Sequence, residues 1–223
     1  MHIQKNKKIF IYFFLFILLG SLNNKTLKNI NFSKIKNINV LGLSHEENLY
    51  IANQIQNLNL KNIFTLDVNE FKNIFEQNSL VESYIVLKKY PSRLDIRIMK
   101  TQFLANININ NQKFLVGSNG KLIKTITLNN QLPYIFGKPK VKEILQLKKI
   151  IDNSKFSYAN IKKIYFFPSN RWDLETKNDI LIKLPKDNIK YTLDLIYEFL
   201  KNSNNKDINI LDARIQNQII LND

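Results

Sequence analysis

The sequence contains no cysteine and only two histidines among its 223 residues. Without thiols there can be no disulfide framework, no thiol nucleophile and no Cys-ligated zinc. His2 and His45 are too far apart along the chain for a two-histidine metal site at helical spacing. Glycine and proline number five each. The glycines are spread singly apart from Gly117 and Gly120, which excludes a Gly-rich phosphate loop. Acidic residues are absent from the N-terminal segment, since all 18 lie at or beyond Glu46. What is abundant is apolar: 44% of residues, enough for a core, so wholesale disorder is excluded. The length leaves room for one domain or two small ones.

The net charge of +15 divides into two parts. Seven lysines (Lys5, Lys7, Lys8, Lys25, Lys28, Lys34 and Lys36) fall within the first 36 residues, leaving 26 basic against 18 acidic residues and a body charge of +8. That body is lysine-rich, with only Arg93, Arg97, Arg171 and Arg214 as arginines. Lys, Asn, Ile and Phe dominate throughout, as an A/T-rich genome would impose. Recognition of bases or phosphates draws on clustered arginine forks, and none are present. The charge is therefore not read as a nucleic-acid footprint, and no nucleic-acid partner is expected.

An unbroken apolar run covers 9–19 and extends to 22. As a helix, 14 residues span about 21 Å, short of a bilayer core of about 30 Å and within the range of signal-peptide cores. No small-x-small cleavage site follows it. Flanking lysines reaching outward let a short segment span, so the sequence predicts a cytoplasmic tail over 1–8, a transmembrane anchor over 9–22 and a polar tether over 23–34. Lysine counts on the two sides do not decide orientation. The rival expectation is a cleaved signal followed by a secreted periplasmic protein, either a chaperone or a small enzyme.

Beyond the tether, hydrophobic periodicity predicts a strand over 35–40 and a helix over 45–58 that carries Ile51, Ile55 and Leu58. Ser44 is its N-cap and Glu47 the capping-box partner. A second helix carries Val68, Phe71, Ile74 and Phe75 on one stripe. Strands over 81–89 and 93–99 follow, turning at Pro91 and Ser92, with Leu94, Ile96 and Ile98 inward and Asp95 and Arg97 outward. The second half predicts short strands over 103–109, 113–116, 121–126, 161–167, 172–177, 180–184, 208–211 and 218–221. Helices over 141–151 and 189–200 interrupt them. The fold class is α+β.

Three groups invite a catalytic reading. Ser44, His45, Glu46 and Glu47 are better explained by a capped helix start. Asp173 and Glu175 share a strand face, with Asp179 close by, and read as a solvated sheet surface. Trp172 beside Arg171 reads as a core indole with an adjacent cation. No catalytic residue, cofactor, metal or small-molecule substrate is expected.

Taken in order, NVLGL, NLNLKNIFTLDV, SLVESYIVLKKYPSRLDIRI, QLPYIFG, RWDLETKNDILIKLP and ILDAR give a succession that resembles the bacterial cell-division family FtsQ/DivIB. The resemblance implies an N-terminal anchor, a POTRA domain over 35–105 and a β-rich domain over 106–223 with about two helices. It implies a divisome scaffold in the inner membrane at the septum, N-terminus cytoplasmic and C-terminal part periplasmic, that links early and late division proteins and binds an FtsB/FtsL-type pair. The partner would add a strand to the sheet at a late C-terminal strand. On that resemblance Asp212 and Arg214 match the family's Asp-x-Arg, and Ile215, Gln218, Ile219, Ile220 and Leu221 belong to the partner-binding strand. Ile219 and Leu221 would share one face of it, and Gln218 and Ile220 the other. Arg171 and Trp172 match an Arg-Trp signature, and Leu132, Pro133 and Gly137 a Leu-Pro-x-x-x-Gly motif. The family's Glu-Arg-x-Pro-x-Ala is replaced here at Lys100, Thr101 and Phe103, with only Ala105 kept, which implies a different hinge between the domains.

Overall fold

The computed structural model describes residues 3–22, 33–58, 60–202, 208–215 and 218–222. Helix α1 (Ile3–Leu22) carries the apolar run. Lys5, Lys7 and Lys8 occupy its first two turns, so the uninterrupted apolar stretch of 9–19 measures about 16 Å along the axis. Among the described residues no helix is long and apolar enough to cross a membrane. Most of the expected tether lies outside the described residues. Its end, Lys34, forms a β-bridge with Asn62.

The first α+β unit contains β1 (Asn37–Leu41), α2 (His45–Gln56), a 3-10 turn (Val68–Phe71), α3 (Lys72–Gln77), β2 (Val81–Lys89) and β3 (Arg93–Lys100). Its sheet runs β1-β3-β2, with β1 parallel and β2 antiparallel to β3. The capping box forms as expected: Glu47 N donates to Ser44 Oγ, and Ser44 N donates to Glu47 Oε2 at 3.0 Å. That helix stops at Gln56, so Leu58 is 41% exposed instead of joining the core stripe. The second helix is also shorter than its periodicity implied. Asp67 caps Asn69 N at 2.9 Å and starts a 3-10 turn, leaving only six residues of α-helix. Phe71 and Phe75 nevertheless reach the core, where they meet Ile51, Ile55, Val40, Leu94, Ile96 and Ile98. Asp95 points away from the helices but is only 6% exposed, because Arg93 Nε at 2.7 Å and Lys89 close over it.

The second unit comprises β4 (Phe103–Ile109), β5 (Gln112–Gly117), β6 (Leu122–Lys124), β7 (Tyr134–Phe136), α4 (Val141–Asp152), β8 (Ile161–Phe166), β9 (Trp172–Thr176), β10 (Leu181–Lys183), α5 (Ile189–Asn202), β11 (Ile210–Asp212) and β12 (Ile220–Asn222). They form one nine-stranded sheet in the order β12-β11-β10-β9-β8-β7-β4-β5-β6. One strand was not expected. β7 is three residues long and bounded by Pro133 and Gly137, yet it lies between β4 and β8, parallel to both.

Register explains how the sheet becomes two-faced. Phe114, Ile107, Ile135, Ile164, Leu174, Ile182, Leu211 and Leu221 line up across eight strands. The central members of that row pack under α4 and α5 through Ile144, Leu147, Ile151, Ile189, Leu193 and Ile196. Each fully buried aliphatic side chain contributes about 1.5–3 kcal/mol relative to exposure, so this row dominates the stability of the unit. The opposite face carries Tyr134, Phe136, Tyr165, Lys163, Glu175, Asp173, Lys183 and Asp212.

Candidate functional site

The residues singled out near the C-terminus converge on one sheet edge. β12 pairs antiparallel with β11 through Ile210↔Asn222, Leu211↔Leu221 and Asp212↔Ile220. Its other side pairs with no strand among the described residues. The strand is shorter than expected: it begins at Ile220, and just before it Gln218 N donates to Ile215 O at 3.2 Å. Ile215, Gln218 and Ile219 therefore precede the strand. Ile215 is exposed, and Ile219 packs against the core under the sheet. Leu221 follows Ile219 onto the helix-covered face, and Ile220 lies on the other. Ile220 is 46% and Leu221 40% exposed. A row of unpaired strand amides and carbonyls flanked by apolar side chains is what an added strand can satisfy.

The edge is braced by charge. Arg214 Nε donates to Asp212 Oδ1 at 2.8 Å and Oδ2 at 3.0 Å, and Arg214 N donates to Oδ1 at 3.2 Å. The Arg214 guanidinium thereby holds the Asp212 carboxyl below its ordinary value. In register behind it come Lys183 and then Asp173. Asp173 is not the solvated acid its position suggested: it is 3% exposed, and burial pushes its carboxyl up against the opposing pull of Arg171 Nε at 3.2 Å. Glu175, one row over, accepts from Lys163 Nζ at 2.8 Å and Tyr165 Oη at 2.7 Å. Burial, reinforced by that bond, pushes the Tyr165 hydroxyl up to about 12. Asp179 pairs with Lys162. Each of these three acids, which invited a catalytic reading, is thus held by a cation.

Arg171 lies over the Phe167 ring at 4.4 Å, and Trp172 is buried against Phe166 at 4.6 Å between ring centroids. Both match the expected core indole with its adjacent cation. Beside Arg214, a cleft of about 280 Å³ is lined by Pro185, Asn188, Tyr191 and Thr192 among others. Nothing in the sequence pattern pointed to that cleft.

Residues 33–100 match the family model of the FtsQ-type POTRA domain, and residues 105–214 match that of the FtsQ/DivIB cell division protein C-terminal domain. Among relatives, Cell division protein FtsQ of Rickettsia typhi is 25% identical over 190 residues, covering 83% of this chain and 71% of that protein. Its counterpart in Rickettsia bellii is 26% identical over 192 residues, covering 83% and 70%. The major extracytoplasmic domain of DivIB from Geobacillus stearothermophilus aligns with 46% of this chain and 97% of its own, at 13% identity and a TM-score of 0.35.

Proposed function

The chain belongs to the FtsQ/DivIB family of cell division proteins, and from that premise we propose that it works by binding, through the open edge of β12. It is a POTRA domain followed by an FtsQ/DivIB C-terminal domain, and it acts in division at the septum with other divisome components. The finer reading is a scaffold that links early to late division proteins and receives an FtsB/FtsL-type pair by strand addition at Ile220–Asn222. The observation that carries it is an edge strand with no partner strand on its outer side among the described residues, Ile220 and Leu221 half exposed on it and the Asp212–Arg214 pair beside it. Helix α1, with its lysine-flanked apolar run, supports anchorage to the inner membrane, and the cytoplasmic N-terminus belongs to the reading through the family alone.

Capture of an FtsB-type partner by the full chain tests the reading. Ile220→Lys changes an exposed side chain, so the fold should persist while capture falls at least tenfold. Ile219→Pro is the poorer probe, because Ile219 packs on the core and its replacement also loosens the sheet. Capture by folded Ile220→Lys at the wild-type level would remove the β12 edge from the interface. Depletion in cells should yield filaments with unsplit septa, and normal morphology would overturn the division role.

A further inference from the structure

Thr101 and Gln102 alone connect β3 to β4, yet the contact between the two units is made by a turn farther along the chain. Asn119 Nδ2 donates to Ser79 O and Val81 O, each at 2.9 Å. Lys121 Nζ donates to Glu76 O at 2.6 Å and Asn78 O at 3.0 Å. Carbonyls at a helix end lack intrahelical partners and favour a cation, and these two lie at the end of α3. Ser118 Oγ donates to Glu82 Oε2 at 2.7 Å, and Thr101 Oγ1 donates to the same oxygen at 2.9 Å. The turn is itself fixed. Gly117 N donates to Lys121 O at 2.9 Å, Ser118 N to Gln102 O at 2.8 Å, and Gln102 N to Ser118 Oγ at 3.0 Å.

A two-residue connection alone would leave a pivot. Here three consecutive contact points, from Glu76 to Glu82 on one unit and Ser118 to Lys121 on the other, leave no axis to rotate about. We infer that residues 118–121 form a latch that locks the two units into one rigid body, with Asn119 and Lys121 setting the angle between them. The motif difference at Lys100, Thr101 and Phe103 then has a physical counterpart: the joint is held by a distant turn together with Thr101 of the connecting segment. The latch does not depend on the β12 edge, so failure of either idea leaves the other standing.

The chain has no cysteine, so Asn53→Cys on α2 and Gln146→Cys on α4, both exposed, take a pair of nitroxide labels cleanly. Double electron–electron resonance on the full chain in detergent micelles should give one narrow distance distribution. Adding Asn119→Ala with Lys121→Ala should at least double its width, and Lys121→Arg alone should keep it narrow. Circular dichroism confirms that each variant is folded. If the double variant is not, Lys121→Met, which keeps the aliphatic stem, replaces it with the same expected broadening. A broad distribution with the latch intact, or an unchanged width without it, would overturn the inference.

Discussion

Gly42 ends β1 with φ +122, and a Cβ placed there would sit 1.8 Å from Ile98 O and 2.7 Å from the carbon behind it. Both atoms are backbone, so no rotamer change relieves the overlap in Gly42→Ala. An L-residue held at such a φ costs about 1–3 kcal/mol in strain. The remaining overlap must be relieved by drawing β1 off β3, which loosens a parallel register running from Asn37↔Arg93 to Leu41↔Arg97. That register keeps Val40 in the core, and its exposure forfeits about another 1.5–3 kcal/mol. The sum is about 2.5–6 kcal/mol. A unit of about 65 residues holds about 3–10 kcal/mol at the usual stability per residue, so the substitution removes much of it. Hydrogen exchange along a urea series should show the 37–58 and 81–100 segments of Gly42→Ala losing protection at far lower urea, with the 161–212 segments little changed. Gly20→Ala is the control, since nothing lies within 4 Å of the added carbon. If Gly42→Ala keeps β1–β3 protection within about 0.5 kcal/mol of wild type, the range of an ordinary surface change, the steric reasoning is wrong.

Glu175 makes a prediction about acid. Burial raises its carboxyl, but Lys163 and Tyr165 outweigh that and leave it below the ordinary glutamate value. The unfolded chain then takes up the proton first, so this stabilisation is complete above the ordinary value and fades as pH falls through the lowered one. Glu175→Gln should flatten the fall in Tm between about pH 5 and 3, and an equal slope in both proteins would contradict it. Leu211→Ala removes a fully buried side chain from the row that seats β12; it should cost about 2–5 kcal/mol in denaturant, and a loss below about 1 kcal/mol would mean the site collapses freely. Ser44→Ala removes a side-chain cap and should cost about 0.5–2 kcal/mol, with earlier exchange of the first turn of α2 as the readout; unchanged exchange there would show that the cap contributes nothing.

Much of this architecture was legible because each strong period had a clean physical source. Ile144, Leu147 and Ile151 recur at helical spacing and are buried. Leu94, Ile96 and Ile98 alternate and face the helices. What escaped lacked a period. β7 has too few residues to alternate, and its meaning comes from neighbours 28 and 29 residues away on either side in the register, such as Ile107↔Ile135 and Ile135↔Ile164. Gly137 was visible as a motif member, but its reason is spatial: with φ +99, a Cβ would meet Phe166 O at 2.4 Å. Asp173 looked solvated because alternation assigns a face and says nothing of depth. The latch was out of reach, since side chains of Asn119 and Lys121 find backbone carbonyls some 40 residues earlier.

The tandem isoleucines show how a sheet edge can be both seated and open. Ile219 and Ile220 are the same residue type at adjacent positions, so composition cannot separate them; alternation does. One points under the sheet into the core, and the other remains on the uncovered face, opposite Asp212 in the register. The three-residue strand is too short to recruit strange chains indiscriminately, as long flat edges do. Its position is nonetheless fixed, by Ile219 packed on the core and by pairing with β11 through Ile210↔Asn222, Leu211↔Leu221 and Asp212↔Ile220. An edge held in this way meets a partner strand with little further ordering of its own, which lowers the entropic cost of binding. On the proposed strand addition, a partner would have to supply the length that β12 lacks, and selectivity would follow from what it places over Ile220 and Arg214.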